Sequence, residues 1–303
     1  MSAPLTERGV HALAAAAGAD GPERSMRRRR AMARAMHAVV LIASACAVLP
    51  LLAIGWHIVR EGLGALRPSF FTALPAPVGE SGGGMANAVV GSLILVGVAS
   101  FIAIPLGVGA GLFAAEHRHS RLSTSVRFVS EVLSGTPSIV VGILAWELVV
   151  RPSGHFSALA GAIALAVIML PLVARATEEM VLMVPAPLFE TALALGYSRW
   201  RAAIRIVLRT ALPGIATAVL VAVARVAGET APLLFTAFGN QYWSVSLREP
   251  VSALPLQIYT YAISPFDEWR RLAWAGALVL VAVAFALGVT SRLVIRHHGR
   301  RRR

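Results

Sequence analysis

Six stretches of this chain are apolar for long enough to cross a bilayer, and nothing else in the sequence constrains its fold as tightly. A spanning helix needs about 20 consecutive apolar residues. Runs of that kind lie near 37–59, 86–115, 129–150, 157–174, 211–235 and 272–291. In hydrocarbon every backbone polar group must find its partner inside the protein, so apolar runs spaced this way predict an all-α membrane protein with six transmembrane helices. A composition that is 57% apolar, with mean hydropathy +0.70, exceeds that of soluble domains and agrees. The second run is longer than a perpendicular crossing requires, which predicts a tilt or a kink at Pro105.

The charges between the runs set the orientation. All 28 basic residues are arginine. With no lysine, the chain can supply neither a Walker A lysine nor a Schiff-base amine, so ATP-dependent work must come from a partner. Cys46 stands alone and excludes an internal disulfide or a cysteine-built metal site. The ASAC text at 43–46 resembles a cleavage site, but the apolar run continues to Val59 and cutting there would halve a span. With the N-terminus inside, the tail 1–36, the loop 116–128, the loop 175–210 and the tail 292–303 hold 7, 3, 5 and 6 arginines, against 6 in all the outer segments. That asymmetry predicts both termini in the cytoplasm of a multi-pass membrane protein. It accounts for the net charge of +13 without a nucleic-acid partner, although basic tails also suit anionic lipid. Residues 1–36 read as a disordered Arg-rich tail, 37–59 as the first helix, 60–85 as an outer loop, 86–291 as the core and 292–303 as a basic tail.

The inner loop 175–210 is too long for a simple connection. Pro185 and Pro187 interrupt whatever extends from the fourth span. Leu188, Ala192 and Leu195 then form an apolar stripe, with Glu190 expected in the first turn of a short helix. Gly196 ends that helix as a left-handed C-cap, and Ser198 is placed to cap a second one carrying Arg199, Arg201, Arg205 and Arg209. Periodicity alone leaves two readings open, a hairpin lying on lipid phosphates or a knob that docks a soluble partner.

At this point the text resembles a known family. Glu190, Ala192 and Gly196, followed by Ile206, Leu208 and Pro213, look like the EAA loop of ABC-importer permeases. GGGMANAVVGSLILVGVA (82–99), EVLSGTPSIVVGIL (131–144), ETALALGYSRW (190–200) and ARVAGETAPLLFTA (224–237) are similar to the phosphate importer permeases, specifically the PstA branch. The resemblance implies a type I importer, MetI-like permease fold and the import of inorganic phosphate by alternating access. The chain itself would then have no catalytic residues, metal or cofactor. It also implies ATPase coupling through Glu190, Ala192, Leu195 and Gly196, and a set of partners: a PstC-type permease, two PstB-type ATPases and a PstS-type binding protein. Residues 1–36 lie outside the resemblance.

Four ionisable residues lie in or near the spans, and each charge at mid-membrane costs roughly 2.5 to 3.5 kcal/mol. Glu131 and Glu147 are expected near opposite ends of the third span, within reach of headgroup water. Arg225 falls near the middle of the fifth, with Glu229 expected one helical turn further on the same face. Two readings are open: a pair that neutralises itself to permit insertion, or an Arg225 that lines the anion path with Glu229 tempering it and Thr230 beside them. The second draws on the guanidinium's bidentate fit to a tetrahedral oxyanion.

Pro137 and Pro232 each remove a backbone bond. With Gly135 and Gly228 they read either as tolerated kinks or as bending points of an alternating path. Ser134, Gly135 and Gly228 are small enough for close helix packing. The outer loop 239–271, with Trp243, Trp269 and several tyrosines, suits an aromatic belt with a partly re-entrant course, or a surface that receives a binding protein. Other functions weighed are a permease for phosphonate, sulfate or molybdate, an ion-driven secondary transporter, and an intramembrane enzyme. The last lacks a deep histidine or paired aspartates.

Overall fold

The computed structural model describes residues 22–80 and 82–300, and the chain divides into two compact units, one ending at His57 and one beginning at Ile58. Helix α1 (Pro22–Ala65) contributes to both. Residues 22–36 are helical, so the expected disordered tail does not hold for them; residues 1–21 lie outside the described part. The cause is continuity, because a helix nucleated in the apolar run propagates cheaply into Ala, Arg and Met.

The second unit continues with α2 (Ser69–Thr72), α3 (Ala86–Glu116), α4 (Arg121–Gly135), α5 (Ser138–Ser153) and α6 (Ala158–Leu182). Then come α7 (Ala186–Ala194), α8 (Arg199–Ala227), α9 (Ala231–Thr236), α10 (Leu254–Ala262) and α11 (Asp267–Arg300). Helix α11 absorbs residues 292–300 of the basic tail, and 301–303 lie outside the described residues.

Among the described residues, α1, α3, α6, α8 and α11 are long and apolar enough to cross a membrane, and α4 with α5 supplies a sixth span if the bent pair counts as one. The protein is a multi-pass, all-α membrane protein. Three expectations need correcting. The third span is not one helix, because α4 and α5 meet at 105° across Thr136 and Pro137. The fifth span stops at Ala227 instead of running to Phe235. The second helix of the inner hairpin is not separate, since α8 runs from Arg199 through a π-helical turn at Ala203–Leu208 and through Pro213. Helix α3, by contrast, stays one helix through Pro105.

The core forms where α3 lies against α6. Leu95, Ala99, Ala103, Gly107 and Gly111 recur at every fourth position of α3 and so share a face. The first three join Leu165, Met169 and Val173 of α6 in the main apolar cluster. The two glycines let the backbones close: a Cβ at Gly107 would sit 2.8 Å from Val173 Cβ, and one at Gly111 would sit 2.3 Å from Ala174 O. Small residues at such a seam replace the hydrophobic drive that lipid removes.

The loop after α9 is tied down. Backbone N–H groups of Ala158 and Leu159 donate to Glu249 O and Leu247 O at 2.9 and 2.9 Å, which satisfies the first turn of α6. Asn87 of α3 donates through Nδ2 to Asn240 O at 2.6 Å, and Leu254 N–H donates to Ser92 Oγ at 2.7 Å. Trp269 stacks on the buried Tyr261 of α10 at 4.5 Å, while Tyr242 and Trp243 are exposed.

Candidate functional site

Two helix breaks face each other in the second unit. In the first, α4 ends at Gly135 and Pro137 takes the N-cap position of α5. Thr136 closes the exposed end of α4, its hydroxyl donating to Val132 O at 2.7 Å and its N–H to Leu133 O at 3.3 Å. In the second, α8 ends at Ala227, and the N–H groups of Gly228 and Glu229 turn back to Arg225 O and Val226 O at 3.2 and 3.1 Å. Pro232 then lies in the first turn of α9, where its missing N–H costs nothing. Both prolines therefore begin new helices and do not kink continuous ones, which sets aside the tolerated-kink reading of Pro137 and Pro232.

The breaks touch through Gly142. A Cβ there would come within 2.6 Å of Pro232 Cα, so α5 and α9 meet at a distance only glycine permits. Between the two breaks is a cavity of about 190 Å³. Leu133, Ser134, Thr136, Pro137 and Ser138 line it from the first break, Arg225 and Glu229 from the second, and Ile168 and Leu172 from either side of the midpoint of α6. One guanidinium, one carboxylate and three hydroxyl side chains thus converge on a space otherwise walled by apolar groups.

The charged pair differs from its expected form. Because α8 stops at Ala227, Glu229 lies in the break and not on the next turn of the same face. Among the described residues no ion pair joins it to Arg225. Arg225 is exposed and Glu229 half-buried. The self-neutralising pair is therefore not what this fold contains. Thr230 takes the N-cap position of α9, where its carbonyl accepts from Leu233 and Leu234 N–H at 3.1 and 3.3 Å, and it is not part of the cavity wall. A Cβ at Gly135 would meet nothing within 4 Å, and one at Gly228 only Arg225 O at 3.6 Å, so the chain itself does not crowd either glycine. Glu147 pairs with Arg151 one turn along α5, and Glu131 lies on α4, on the other side of the bend from α5.

On the inner hairpin, α7 follows α6 after only Met183, Val184 and Pro185. Glu190 is exposed in the second turn of α7, not the first, because Pro187 is tolerated at the helix start and lets it begin at Ala186. Gly196 adopts φ +85°, and N–H groups of Gly196 and Tyr197 donate to Leu193 O and Ala192 O at 2.9 and 3.1 Å, the Schellman closure expected of it. The apolar stripe splits: Ala192 is buried at 4% exposure, whereas Leu188 and Leu195 stand out at 44% and 74%. Ser198 occupies an N-cap position without a side-chain bond. Arg199 reaches Glu116 at the end of α3, at 3.7 Å.

Residues 107–303 match the family described as binding-protein-dependent transport system inner membrane component. The chain is 41% identical over 275 residues to the phosphate transport system permease protein PstA of Yersinia pestis, covering 89% of this chain and 93% of that one. It is 45% identical over 242 residues to the PstA protein of Haemophilus influenzae, covering 79% and 85%. The chain belongs to the PstA-type phosphate transport system permease family. Two solved structures share its fold: an inward-facing MetNI methionine ABC transporter (18% identity, 69% of this chain and 95% of that one, TM-score 0.57) and a bacterial alginate ABC transporter (12% identity, 89% and 96%, TM-score 0.63).

Within this PstA-type fold, the sequence blocks 131–144 and 224–237 are the two sides of one cavity. Sequence reasoning missed Ile168 and Leu172 in its wall and the close approach of Gly142 to Pro232, because their partners are far along the chain and no periodicity connects them. The hydroxyls flanking Pro137 were detectable as polar residues inside an apolar run.

Proposed function

We propose that this chain is the permease subunit of an ATP-driven importer that carries inorganic phosphate across the bacterial inner membrane by alternating access. The observation that carries the reading is the cavity joining Arg225 to the Ser134–Ser138 break, in a chain with 41% identity to a phosphate permease. A phosphate oxyanion accepts two parallel N–H bonds from a guanidinium, and the hydroxyls of Ser134, Thr136 and Ser138 can supply further donors without adding charge. Glu229 on the same wall weakens the net attraction, which a site that must release its anion requires. The prolines at the two breaks make Gly135–Pro137 and Gly228–Pro232 the natural bending points, since neither segment has a helical backbone ladder to lose.

Partners follow from what the chain leaves uncovered. Arg225 is exposed beside the small residues Ser134 and Gly135, and a guanidinium is costly against lipid, so a second permease of PstC type would close that side. Leu188, Leu195 and Trp200 on the hairpin are exposed apolar groups suited to a cleft in a PstB-type ATPase, with Glu190, Ala192 and Gly196 shaping the knob. The arginine asymmetry supports a cytoplasmic knob and cytoplasmic termini, which would leave the opposite loops for a PstS-type binding protein. Gly196→Val should loosen the knob, because a β-branched residue at φ +85° costs roughly 1 to 2 kcal/mol. Expected is weaker retention of the ATPase during purification, with an unchanged yield of the permease pair.

Reconstitution with partner permease, ATPase and binding protein tests the substrate directly. Phosphate should stimulate both uptake and ATP hydrolysis; stimulation by sulfate or molybdate, but not by phosphate, would refute it.

A further inference from the structure

A second cavity, of about 220 Å³, lies where the C-terminal parts of α3 and α6 meet the middle of α4, and its charged lining takes no part in the site above. Arg127 of α4 holds it together. Its Nε donates to Glu178 Oε1 of α6 at 2.6 Å, while its two terminal nitrogens donate to Ala114 O at 2.9 Å and Arg118 O at 3.1 Å, at and just beyond the end of α3. The Glu178 side chain is 15% exposed, which sets this pair apart from the solvent-facing Arg175–Glu179 pair beside it. The carbonyls at a helix C-terminus lack intrahelical donors and favour a cation, so the guanidinium is well matched to all three acceptors.

The position of this clamp matters more than its strength. Glu178 sits one turn before Leu182, where α6 ends and the three-residue link to α7 begins. Arg127 sits eight residues before Gly135, about 12 Å along α4 from the cavity wall formed by Leu133, Ser134 and Thr136. Displacement of α7 passes into α6 through that short link as well as into the start of α8, on which α7 packs, and the clamp is a polar contact through which α6 can carry α4 with it.

We propose that Arg127 is a positioning residue that couples the docking hairpin to the wall of the anion cavity, so that movement at α7 repositions Ser134–Thr136. This rests on the reading of that cavity as the transport path and of α7 as the docking helix.

The test uses the complete complex with a single cysteine reporter, Ser134→Cys in a Cys46→Ser background, and a water-soluble maleimide. The labelling rate with and without ATP reports movement of the wall, whichever anion is carried. Arg127→Gln should reduce the ATP-dependent difference in rate by about threefold or more, the range seen when coupling residues are removed. Glu178→Gln, which keeps the bonds to the α3 carbonyls, should do so to a smaller extent. Binding of the ATPase and basal hydrolysis should be unchanged. A full ATP-dependent difference in both variants would overturn the proposal, as would a loss that merely parallels lost assembly. If Arg127→Gln does not accumulate, Glu178→Gln decides. Failure of the unmodified complex to import phosphate would count against the substrate reading and leave the labelling result standing.

Discussion

Arg225→Gln is expected to abolish phosphate uptake while leaving the permease assembled. A bidentate guanidinium supplies two charge-assisted hydrogen bonds, each worth about 1.5 to 3 kcal/mol, so their loss predicts a fall of roughly 10² to 10⁴-fold. Assembly should survive because Arg225 is exposed and, among the described residues, forms no ion pair within the chain. Removing its charge even lightens insertion, at roughly 2.5 to 3.5 kcal/mol for a central arginine. Arg225→Lys should recover little, since an ammonium is a point charge without the planar fork. The measurement is phosphate uptake in proteoliposomes beside co-purification of the partner subunits. A variant that fails to assemble would show instead that the arginine is structural.

The second large effect concerns the seam between α3 and α6. Gly111→Val should prevent the protein from accumulating in folded form. Its Cβ would meet Ala174 O at 2.3 Å, Thr177 Cβ at 2.7 Å and Glu178 N at 3.0 Å, and backbone atoms cannot rotate away. Overpacking usually costs about 1 to 3 kcal/mol when side chains can yield, and here they cannot. Gly109→Val is the control on the same helix. A Cβ at Gly109 meets nothing within 4 Å, so only the small helix-propensity difference applies and the yield should be near normal. Thermal unfolding in detergent and membrane abundance check both; equal behaviour of the two variants would refute the seam.

Much of this fold was legible because lipid imposes a simple rule on sequence. The apolar runs located α1, α3, α6 and α11 to within a few residues at their apolar parts, since a helix in hydrocarbon has few alternatives. Local chemistry was equally legible: Gly196 ends α7 with the closure expected of it. Misreadings arose where an apolar run did not correspond to one helix. Residues 129–150 and 211–235 are continuous in hydropathy, and hydropathy does not register a break. Pro137 and Pro232 carried the information, but a proline inside an apolar run looks the same whether it bends a helix or starts a new one. The long-range contacts, Gly142 against Pro232 and Arg127 against Glu178, join distant residues and leave no periodic trace.

The open side of the Arg225 cavity bears on how cells keep this protein in proportion. An unassembled copy would show lipid a guanidinium, a costly group by which membrane quality control can tell an orphan from a finished subunit. Its lifetime should therefore follow the supply of whatever covers that face, so that stoichiometry is enforced by degradation as well as by synthesis.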